Sequence, residues 1–326
     1  MRNFTFKGLL LTAVFMLLGC LSIQAANDDL ITKQITINLD KAGTLPNKIA
    51  SSEMYKITNL KIIGEINGTD WNMIREMAGR DNRGYGTEGK LSVLDLSEAK
   101  IVKGGDSYYP GDNCYTSNDE IGEKAFTDCS RLTSLTLPVG ITSIGYDAFA
   151  YCSGLTSLTL PAGITSIGEY AFSGCSGLTS LTLPAGITSI DKYAFSGCSR
   201  LTSLTLPAGI TSIGEFAFSY CSGLTSIYVY AEKVPRIGRY AFEGCASRKC
   251  TLYVPKGTYD NYRFSEFGYF ENIVEFDATG IDKTTTSTDV EEVSRFSADG
   301  QRLAVPVKGL NIVKYSDGTV RKVVVK

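Results

Sequence analysis

The stretch LTSLTLPAGITSIGEYAFSGCSG, residues 155–177, decides the fold, because nearly the same 23 residues occur once before it and twice after it. The other copies are LTSLTLPVGITSIGYDAFAYCSG (132–154), LTSLTLPAGITSIDKYAFSGCSR (178–200) and LTSLTLPAGITSIGEFAFSYCSG (201–223). A fixed period of this length is typical of a solenoid, in which each unit buries its apolar side chains against its neighbours. The sequence therefore predicts an elongated array of coils, not one closed core.

Within one copy, LTSLTLP alternates apolar and polar residues, which predicts a short strand of a parallel β-sheet. Leu135 and Leu137 are expected to point inward, while Ser134 and Thr136 point outward. Pro138 ends the strand. The remaining apolar positions follow no helical period, so the other sides of each coil are expected to be short irregular or 3₁₀ segments.

The segment before the repeats, residues 26–90, is the predicted N-terminal cap, because a stack of repeats needs a cover at each end. It holds two strand-like segments, 31–40 and 57–66, followed by a short helix. Either Thr69 or Asp70 is expected to cap that helix. The helix residues that are expected to be buried are Trp71, Ile74 and Met77.

The repeat region with its C-terminal cap is predicted to span residues 91–276. Its first unit carries an insertion of 18 residues, and its last unit, 224–247, is one residue longer than the others. The aromatic-rich segment 251–276 is expected to cover the last coil. Residues 277–290 are predicted to be a linker, and 291–326 a small β module in which two Asp-Gly pairs mark hairpin turns.

One cysteine recurs in every unit, and we expect this series to be buried as reduced thiols. In-register positions hold their Cβ atoms about 4.7–4.9 Å apart, which exceeds the roughly 3.5–4.5 Å that a disulfide needs. A metal site is not expected either, since ligands must converge on a metal and a ladder does not. The residues are Cys129, Cys152, Cys175, Cys198, Cys221 and Cys245.

Two rows of side chains are candidates for binding. Outward hydroxyls form a broad neutral face suited to hydrogen bonding with a glycan or an extended protein segment, although a solvated strand favours the same residues. These candidates are Ser134, Thr136, Ser157, Thr159, Ser180, Thr182, Ser203 and Thr205. A row of aromatic residues fits an interaction surface or, alternatively, covers the seam between coils. It consists of Tyr170, Tyr193, Phe216 and Tyr240.

The insertion at residues 104–120 adds Tyr108 and Tyr109 as binding candidates, since long loops on rigid scaffolds often carry function. It also clusters acidic residues, including Asp106 and Asp112, but without the spacing of a calcium motif. We expect a flexible loop of the N-terminal cap there.

The N-terminus is predicted to be a secretory signal peptide over residues 1–25, in which basic residues precede an apolar run and small residues follow it. In a rival interpretation, Cys20 is the lipidated residue of a lipoprotein. Apart from such an anchor or a sorting tail, no membrane contact is expected. The net charge is −2 and histidine is absent, which argues against nucleic-acid binding and excludes histidine-dependent catalysis. No cofactor is predicted.

The pattern LTSLTLPxGITSIGxxAFxxCSG resembles the BspA-like leucine-rich repeat over about residues 91–276. The resemblance implies a leucine-rich repeat solenoid with a parallel β-sheet, caps at both ends and a small C-terminal β module. It also implies a secreted or surface-exposed bacterial protein that adheres to host proteins or other bacteria, without catalytic residues. Where the standard leucine-rich repeat has an asparagine ladder, this chain has cysteine at a comparable position.

The tail at 291–326 is similar to C-terminal sorting domains of type IX secretion, which implies secretion or the outer cell surface of a Gram-negative bacterium. The first functional hypothesis is therefore an extracellular adhesion protein that recognises host or bacterial surface macromolecules, either protein or glycan. The alternative is a structural spacer or stalk that displays a cap or tail element. A third hypothesis is a carbohydrate-active enzyme, but no repeat position supplies the paired carboxylates that such an enzyme needs.

Overall fold

The computed structural model describes residues 29–109, 111, 113–278, 292–297, 302–303, 309–315 and 320–325. The predicted leader with Cys20, most of the predicted linker and both Asp-Gly pairs lie outside these ranges. Within them, no helix is both long and apolar enough to cross a bilayer.

The repeat region and its flanks form a parallel β-solenoid, with one strand per coil on its main face. These strands follow one another in chain order and form two five-stranded sheets. The first sheet contains β1 (Ile35–Leu39), β2 (Asn59–Ile66), β3 (Val93–Ile101), β7 (Ser134–Thr136) and β9 (Ser157–Thr159). The second contains β11 (Ser180–Thr182), β13 (Ser203–Leu206), β15 (Ser226–Val229), β17 (Thr251–Pro255) and β18 (Asn272–Phe276).

A second row of very short parallel strands lies further along each coil, again in two sheets. These two-residue strands pair Ser-Ile with the Ser-Ile of the neighbouring coil. They are β6 (Glu120–Ile121), β8 (Ser143–Ile144), β10 (Ser166–Ile167), β12 (Ser189–Ile190), β14 (Ser212–Ile213) and β16 (Arg236–Ile237).

Short helices and turns occur mainly at the two ends of the solenoid. They are α1 (Leu45–Lys48), α2 (Gly68–Met77), α3 (Tyr259–Arg263) and a 3₁₀ turn (Glu266–Tyr269). A hairpin is formed by β4 (Gly104–Tyr109) and β5 (Cys114–Thr116). The tail is an antiparallel sheet of β19 (Glu292–Ser297), β20 (Arg302–Leu303), β21 (Gly309–Tyr315) and β22 (Val320–Val325), in the order β20-β19-β21-β22.

The interior of the solenoid contains a phenylalanine ladder with one buried ring per coil. Neighbouring rings are nearly parallel and lie 5.0–5.5 Å apart between centroids. Trp71 covers the first ring at 5.2 Å and Phe270 covers the last at 5.3 Å, so both ends of the ladder are shielded by the caps. The ladder is Phe126, Phe149, Phe172, Phe195, Phe218 and Phe242.

The recurrent cysteines form a second buried ladder beside the rings, as the sequence predicted, and all six are reduced thiols. From the second coil onward, each thiol donates a hydrogen bond to a carbonyl of the preceding coil. Cys152 Sγ, for example, lies 3.0 Å from the Phe126 oxygen, and the other four distances are 3.1–3.4 Å. The cysteine therefore both fills space and satisfies a buried backbone acceptor.

Burial should make the cysteine ladder unreactive at neutral pH and sensitive to alkali. Desolvation raises the pKa of Cys129 from 9.0 to about 11. Because burial favours the neutral thiol, the contribution of this residue to the free energy of unfolding is complete below pH 9 and is lost as the pH rises from 9 towards 11. We expect the six ladder thiols to resist iodoacetamide at pH 7.5 until urea unfolds the chain. Mass spectrometry of the alkylated peptides measures this, and rapid labelling of the native protein would contradict it.

The N-cap of helix α2 lies two residues before Thr69 and three before Asp70, the two predicted caps. Asn67 is the N-cap: its side-chain oxygen accepts from Thr69 N at 3.1 Å, while Asp70 accepts from Asn67 N at 2.9 Å, which completes a capping box. Thr69 and Asp70 are therefore not the N-cap, although Asp70 belongs to the motif. The helix buries Trp71, Ile74 and Met77, as predicted.

The segment at 26–90 covers the repeats by continuing their architecture. Strands β1 and β2 pair in parallel with each other, and β2 pairs with β3, so two coils precede the first recognisable repeat. Indole Nε1 of Trp71 donates to the Ala125 oxygen at 3.0 Å, and the Arg75 guanidinium donates to the same oxygen at 2.9 Å. These bonds join α2 to the first coil.

Candidate binding surfaces

The row of outward hydroxyls, here called the hydroxyl face, lies where the alternation predicted it. In β7, Leu135 is buried, whereas Ser134 and Thr136 on either side of it are exposed. The same pattern recurs in β9 and β11, and in β13 the two hydroxyl residues are half-buried. Strand register places like residues beside each other, so Ser134 lies next to Ser157 and Thr136 next to Thr159.

A neighbouring row of threonines shows which hydroxyls the fold itself uses. The threonine two positions before each inward leucine donates its hydroxyl to a carbonyl of the preceding coil, as Thr156 does to the Thr133 oxygen at 3.1 Å. The equivalent bonds of Thr179, Thr202 and Thr225 measure 3.0–3.3 Å. By contrast, none of the eight hydroxyls of the hydroxyl face makes a side-chain hydrogen bond within the described residues. They are therefore available to a ligand.

The hydroxyl face has a charged border at its N-terminal end. Asp95 in β3 pairs in register with Thr136 and lies 3.6 Å from the Lys61 ammonium, which also contacts Glu98. Partial burial opposes ionisation of Asp95, but hydrogen bonds from Ser97 and the nearby ammonium outweigh it and hold its pKa below the ordinary value. The neutral face thus ends at an ion-pair cluster.

The C-terminal border of the hydroxyl face is aromatic. Tyr228 takes the place of the outward threonine in β15 and stacks on Tyr253 with 4.4 Å between ring centroids. Phe276 meets Tyr228 edge-on at 6.0 Å and Tyr230 at 5.1 Å. Burial raises the pKa of Tyr228 to about 12, so its phenol is protonated at neutral pH. This cluster supplies apolar contact area at the end of a hydroxyl row.

The predicted aromatic row is mainly a packing device. Tyr170 stacks on Tyr193 at 4.7 Å, Tyr193 on Phe216 at 4.9 Å, and Phe216 lies 5.2 Å from Tyr240. The ring faces are therefore covered by each other, while the Arg239 guanidinium lies 4.7 Å from the Tyr240 ring centre. Only ring edges and hydroxyl groups are left for a partner, which excludes face-on stacking of a sugar along most of the row.

The backbone at this row is left-handed, with φ between 55° and 58°. Such a conformation costs a residue other than glycine about 1 kcal/mol, and coil-to-coil hydrogen bonds compensate for it. Tyr170 N donates to the Lys192 oxygen at 3.1 Å, and Tyr193 N donates to the Glu215 oxygen at 3.0 Å. The row thus holds consecutive coils together.

The insertion is a folded hairpin and not the flexible loop that the sequence predicted. Strands β4 and β5 pair, and Tyr108 is wrong as a binding candidate because it is completely buried beside Trp71 and donates to the Glu123 oxygen at 2.8 Å. Tyr109 is half-buried, with Arg75 5.3 Å from its ring centre. Packing on α2 explains both, because helix and hairpin share one apolar surface.

Two exposed tyrosines are not among the predicted binding residues. Tyr151 and Tyr220 are each 59% exposed and immediately precede a ladder cysteine. Most other units have glycine at that position. The rings lean onto glycines of the following coil: a Cβ added to Gly174 would lie 2.7 Å from Tyr151 Cδ1, and one added to Gly244 would lie 2.8 Å from Tyr220 Cδ1. An aligned column in which tyrosine replaces glycine is the signal that identifies them.

The described residues show no cluster of cysteine or carboxylate side chains that is suited to a metal ion. In the insertion, Asp106 accepts a hydrogen bond from the Thr69 hydroxyl at 2.9 Å and is thereby tied to the start of α2. Asp112, the other acidic residue named in the insertion, lies outside the described residues.

Comparison with known families agrees with this geometry. Residues 119–274 match the family described as the BspA type leucine rich repeat region, in six copies. These residues therefore form a leucine-rich repeat solenoid, as the sequence pattern predicted, and their repeats are similar to those of the BspA type. No curated protein matches the chain.

Several solved structures are similar to this chain. The T. pallidum leucine-rich repeat protein shares 31% identity, with a TM-score of 0.40 over 42% of this chain and 63% of that one. A leucine rich cell surface protein from Faecalibacterium prausnitzii shares 28%, with a TM-score of 0.35 over 48% and 45%. A leucine-rich repeat protein from Bacteroides ovatus shares 20%, with a TM-score of 0.34 over 75% and 70%. The chain spans less than two thirds of the first two proteins.

Proposed function

We propose that this chain is an exported, non-enzymatic binding protein that recognises an extracellular protein or glycan through its hydroxyl face. The observation that carries the proposal is the contrast between the two hydroxyl rows. The hydroxyls of Thr156 and its equivalents donate hydrogen bonds to the preceding coil. The hydroxyls of the hydroxyl face, such as those of Ser157 and Thr159, make no such bond and point outward. Repeated donors and acceptors of this kind, in register within each of the two sheets, suit repetitive partners, namely a polysaccharide or an extended polypeptide.

The chemistry of the face also limits its partners. No charged side chain lies on β7, β9, β11 or β13, so recognition there depends on hydrogen bonds and shape, not on long-range charge. The aromatic border at Tyr228 and Tyr253 adds apolar contact at one end. A strongly charged ligand has no complementary surface on this face.

Lysine substitutions on the hydroxyl face should weaken binding while leaving the fold intact. We expect Thr159→Lys with Thr182→Lys to weaken binding at least about tenfold, since bulky charged groups replace the small acceptors of the face. The matched control is Ser153→Lys with Ser199→Lys, two exposed positions near the cysteine ladder. Glycan arrays and pull-downs from cell-surface extracts measure both, and they separate a glycan from a protein partner. Equal losses for both variants would contradict the proposal.

Export and surface location form part of the proposal. It is supported by the basic and apolar N-terminus at 1–25, with Cys20 as the alternative lipid anchor, and by the resemblance of 291–326 to sorting domains. Adhesion to host or bacterial surfaces is the role that such a location suits. Fractionation of the producing cell tests this, and retention of the full chain in the cytoplasm would contradict it.

A spacer or stalk is the second candidate function, and one observation favours it. The units are nearly identical and stack in constant register, so one of them can be removed without changing the ends. Deleting residues 155–177 shortens the hydroxyl face by one coil. A binding protein loses affinity on this deletion, whereas a spacer keeps any binding that belongs to its cap or tail.

A further inference from the structure

Between residues 121 and 237, the strand pairing of the solenoid is interrupted at one place, here called the seam. Strand β9 does not pair with β11, and β10 does not pair with β12, although every other pair of consecutive coils from 121 to 237 is joined in both rows. The seam thus separates residues 155–177 from residues 178–200. It divides the hydroxyl face in the middle, with Ser157 and Thr159 on one side and Ser180 and Thr182 on the other.

The opposite side of the same two coils remains closed. Phe172 N donates to the Ala194 oxygen at 2.7 Å, and Gly174 N donates to the Ser196 oxygen at 2.7 Å. The rings of Phe172 and Phe195 stay stacked at 5.1 Å. The strand side also stays in contact just before β9 and β11, where the Thr179 hydroxyl donates to the Thr156 oxygen at 3.3 Å. The loss of pairing is therefore confined to the strands themselves, while the rest of the interface between the two coils is closed.

The near-identity of the coils leaves very few residues that could cause the loss of pairing at the seam. The two coils differ at only three positions, where Gly168, Glu169 and Gly177 are replaced by Asp191, Lys192 and Arg200. Lys192 occupies a position that holds tyrosine, glutamate or arginine in coils whose pairing is intact. Asp191 and Arg200 are different, because both add a Cβ where the neighbouring coils have glycine.

The position of Asp191 leaves no room for a side chain in a closed stack. A Cβ added at the equivalent glycine would lie 2.9 Å from the preceding backbone at Gly168, 2.7 Å at Gly214 and 2.4 Å at Gly238. At these glycines the amide also bonds to the preceding coil, as Gly214 N does to the Ile190 oxygen at 2.8 Å. The corresponding bond from Asp191 N to the Ile167 oxygen is absent from the described hydrogen bonds.

The position of Arg200 does not open the stack by itself. Ser247 is its equivalent in the coil 224–247 and also carries a Cβ. That coil keeps its pairing in both rows, with β15 on β13 and β16 on β14, and Gly238 N still donates to the Ile213 oxygen at 2.7 Å. A side chain there is compatible with a closed seam.

We infer that Asp191 is a steric wedge that breaks the strand pairing between residues 155–177 and 178–200, so that the hydroxyl face is divided into two platforms. Leu158 and Leu160, in the coil before the seam, are 8% and 7% exposed, whereas Leu181 and Leu204 beyond it are 2% and 0% exposed. The wedge thus loosens the core beside it.

Amide hydrogen exchange of the full chain tests the wedge. Asp191→Gly restores the residue found in the paired coils. The equivalents of Thr188 in those coils, Thr165 and Thr211, donate their amides to the preceding coil at 2.9 and 2.8 Å. We expect exchange at Thr188 and at residue 191 to slow at least about tenfold as both amides gain acceptors. Asp191→Ala keeps the Cβ without the charge and should leave exchange fast, as should Arg200→Gly. Unchanged exchange in Asp191→Gly overturns the wedge. So does equal slowing in Asp191→Ala, which would assign the opening to charge, or slowing in Arg200→Gly.

Discussion

Replacing Phe195 by alanine is expected to destabilise the solenoid by about 3–5 kcal/mol, as for other buried phenylalanines. The ring is fully buried and stacked on both faces, 5.1 Å from Phe172 and 5.3 Å from Phe218. Because each coil rests only on its neighbours, the resulting cavity weakens two coil interfaces at once. Urea unfolding followed by far-UV circular dichroism measures the loss as a lower transition midpoint.

Two further variants separate ladder packing from the general loss of an aromatic group. Phe195→Leu keeps most of the volume and should cost less than about 1.5 kcal/mol. Phe264→Ala removes a ring that is 86% exposed and should leave the midpoint unchanged. If Phe195→Ala were no more destabilising than Phe264→Ala, the ladder would not be the core of the solenoid.

Replacing Asp70 by alanine is expected to unfold the N-terminal coils at a cost of about 3 kcal/mol, because it leaves several buried donors without an acceptor. The carboxylate is completely buried and accepts backbone N–H groups of Gly43 at 2.6 Å, Leu45 at 2.8 Å and Asn67 at 2.9 Å. One side chain thus fixes the turn before α1, the start of α1 and the start of α2. Amide hydrogen exchange measures this, and we expect faster exchange over residues 35–91 with the later coils unaffected.

The control for Asp70 is another aspartate of the same cap. Asp40 is almost fully exposed and makes a surface ion pair with Lys48 at 3.5 Å, which is worth little in water. Asp40→Ala should therefore leave exchange unchanged, while Asp70→Asn, which keeps one acceptor oxygen, should fall between the two. Equal behaviour of the two alanine variants would contradict the role assigned to Asp70.

The cap prediction shows how far local patterns reach. Trp71, Ile74 and Met77 were identified from their spacing alone, since amphipathic spacing reports the buried side of a helix. The helix start was misplaced, because several residues near it have suitable capping side chains and only the backbone angles choose among them. Asn67 has extended backbone geometry and is therefore the N-cap.

Tyr108 shows where local patterns fail. A tyrosine among glycines and acids is typical of an exposed loop, and nothing within the insertion shows that α2 lies against it. Its burial is decided by Trp71, 37 positions earlier in the chain, with 6.3 Å between the rings. Contacts of this kind cannot be predicted from the residues that neighbour Tyr108 in the chain.

The sequence by itself determined the solenoid, its period, its inward leucines and its buried cysteines, because a repeated unit meets the same environment in every coil and its alternation states which side is inside. Only the tertiary structure decided how the coils meet. It showed that Cys152 bonds to the Phe126 carbonyl, that the aromatic row covers its own faces, and that strand pairing is interrupted between β9 and β11. Each of these depends on distances between residues 20 or more positions apart, which chain order does not specify.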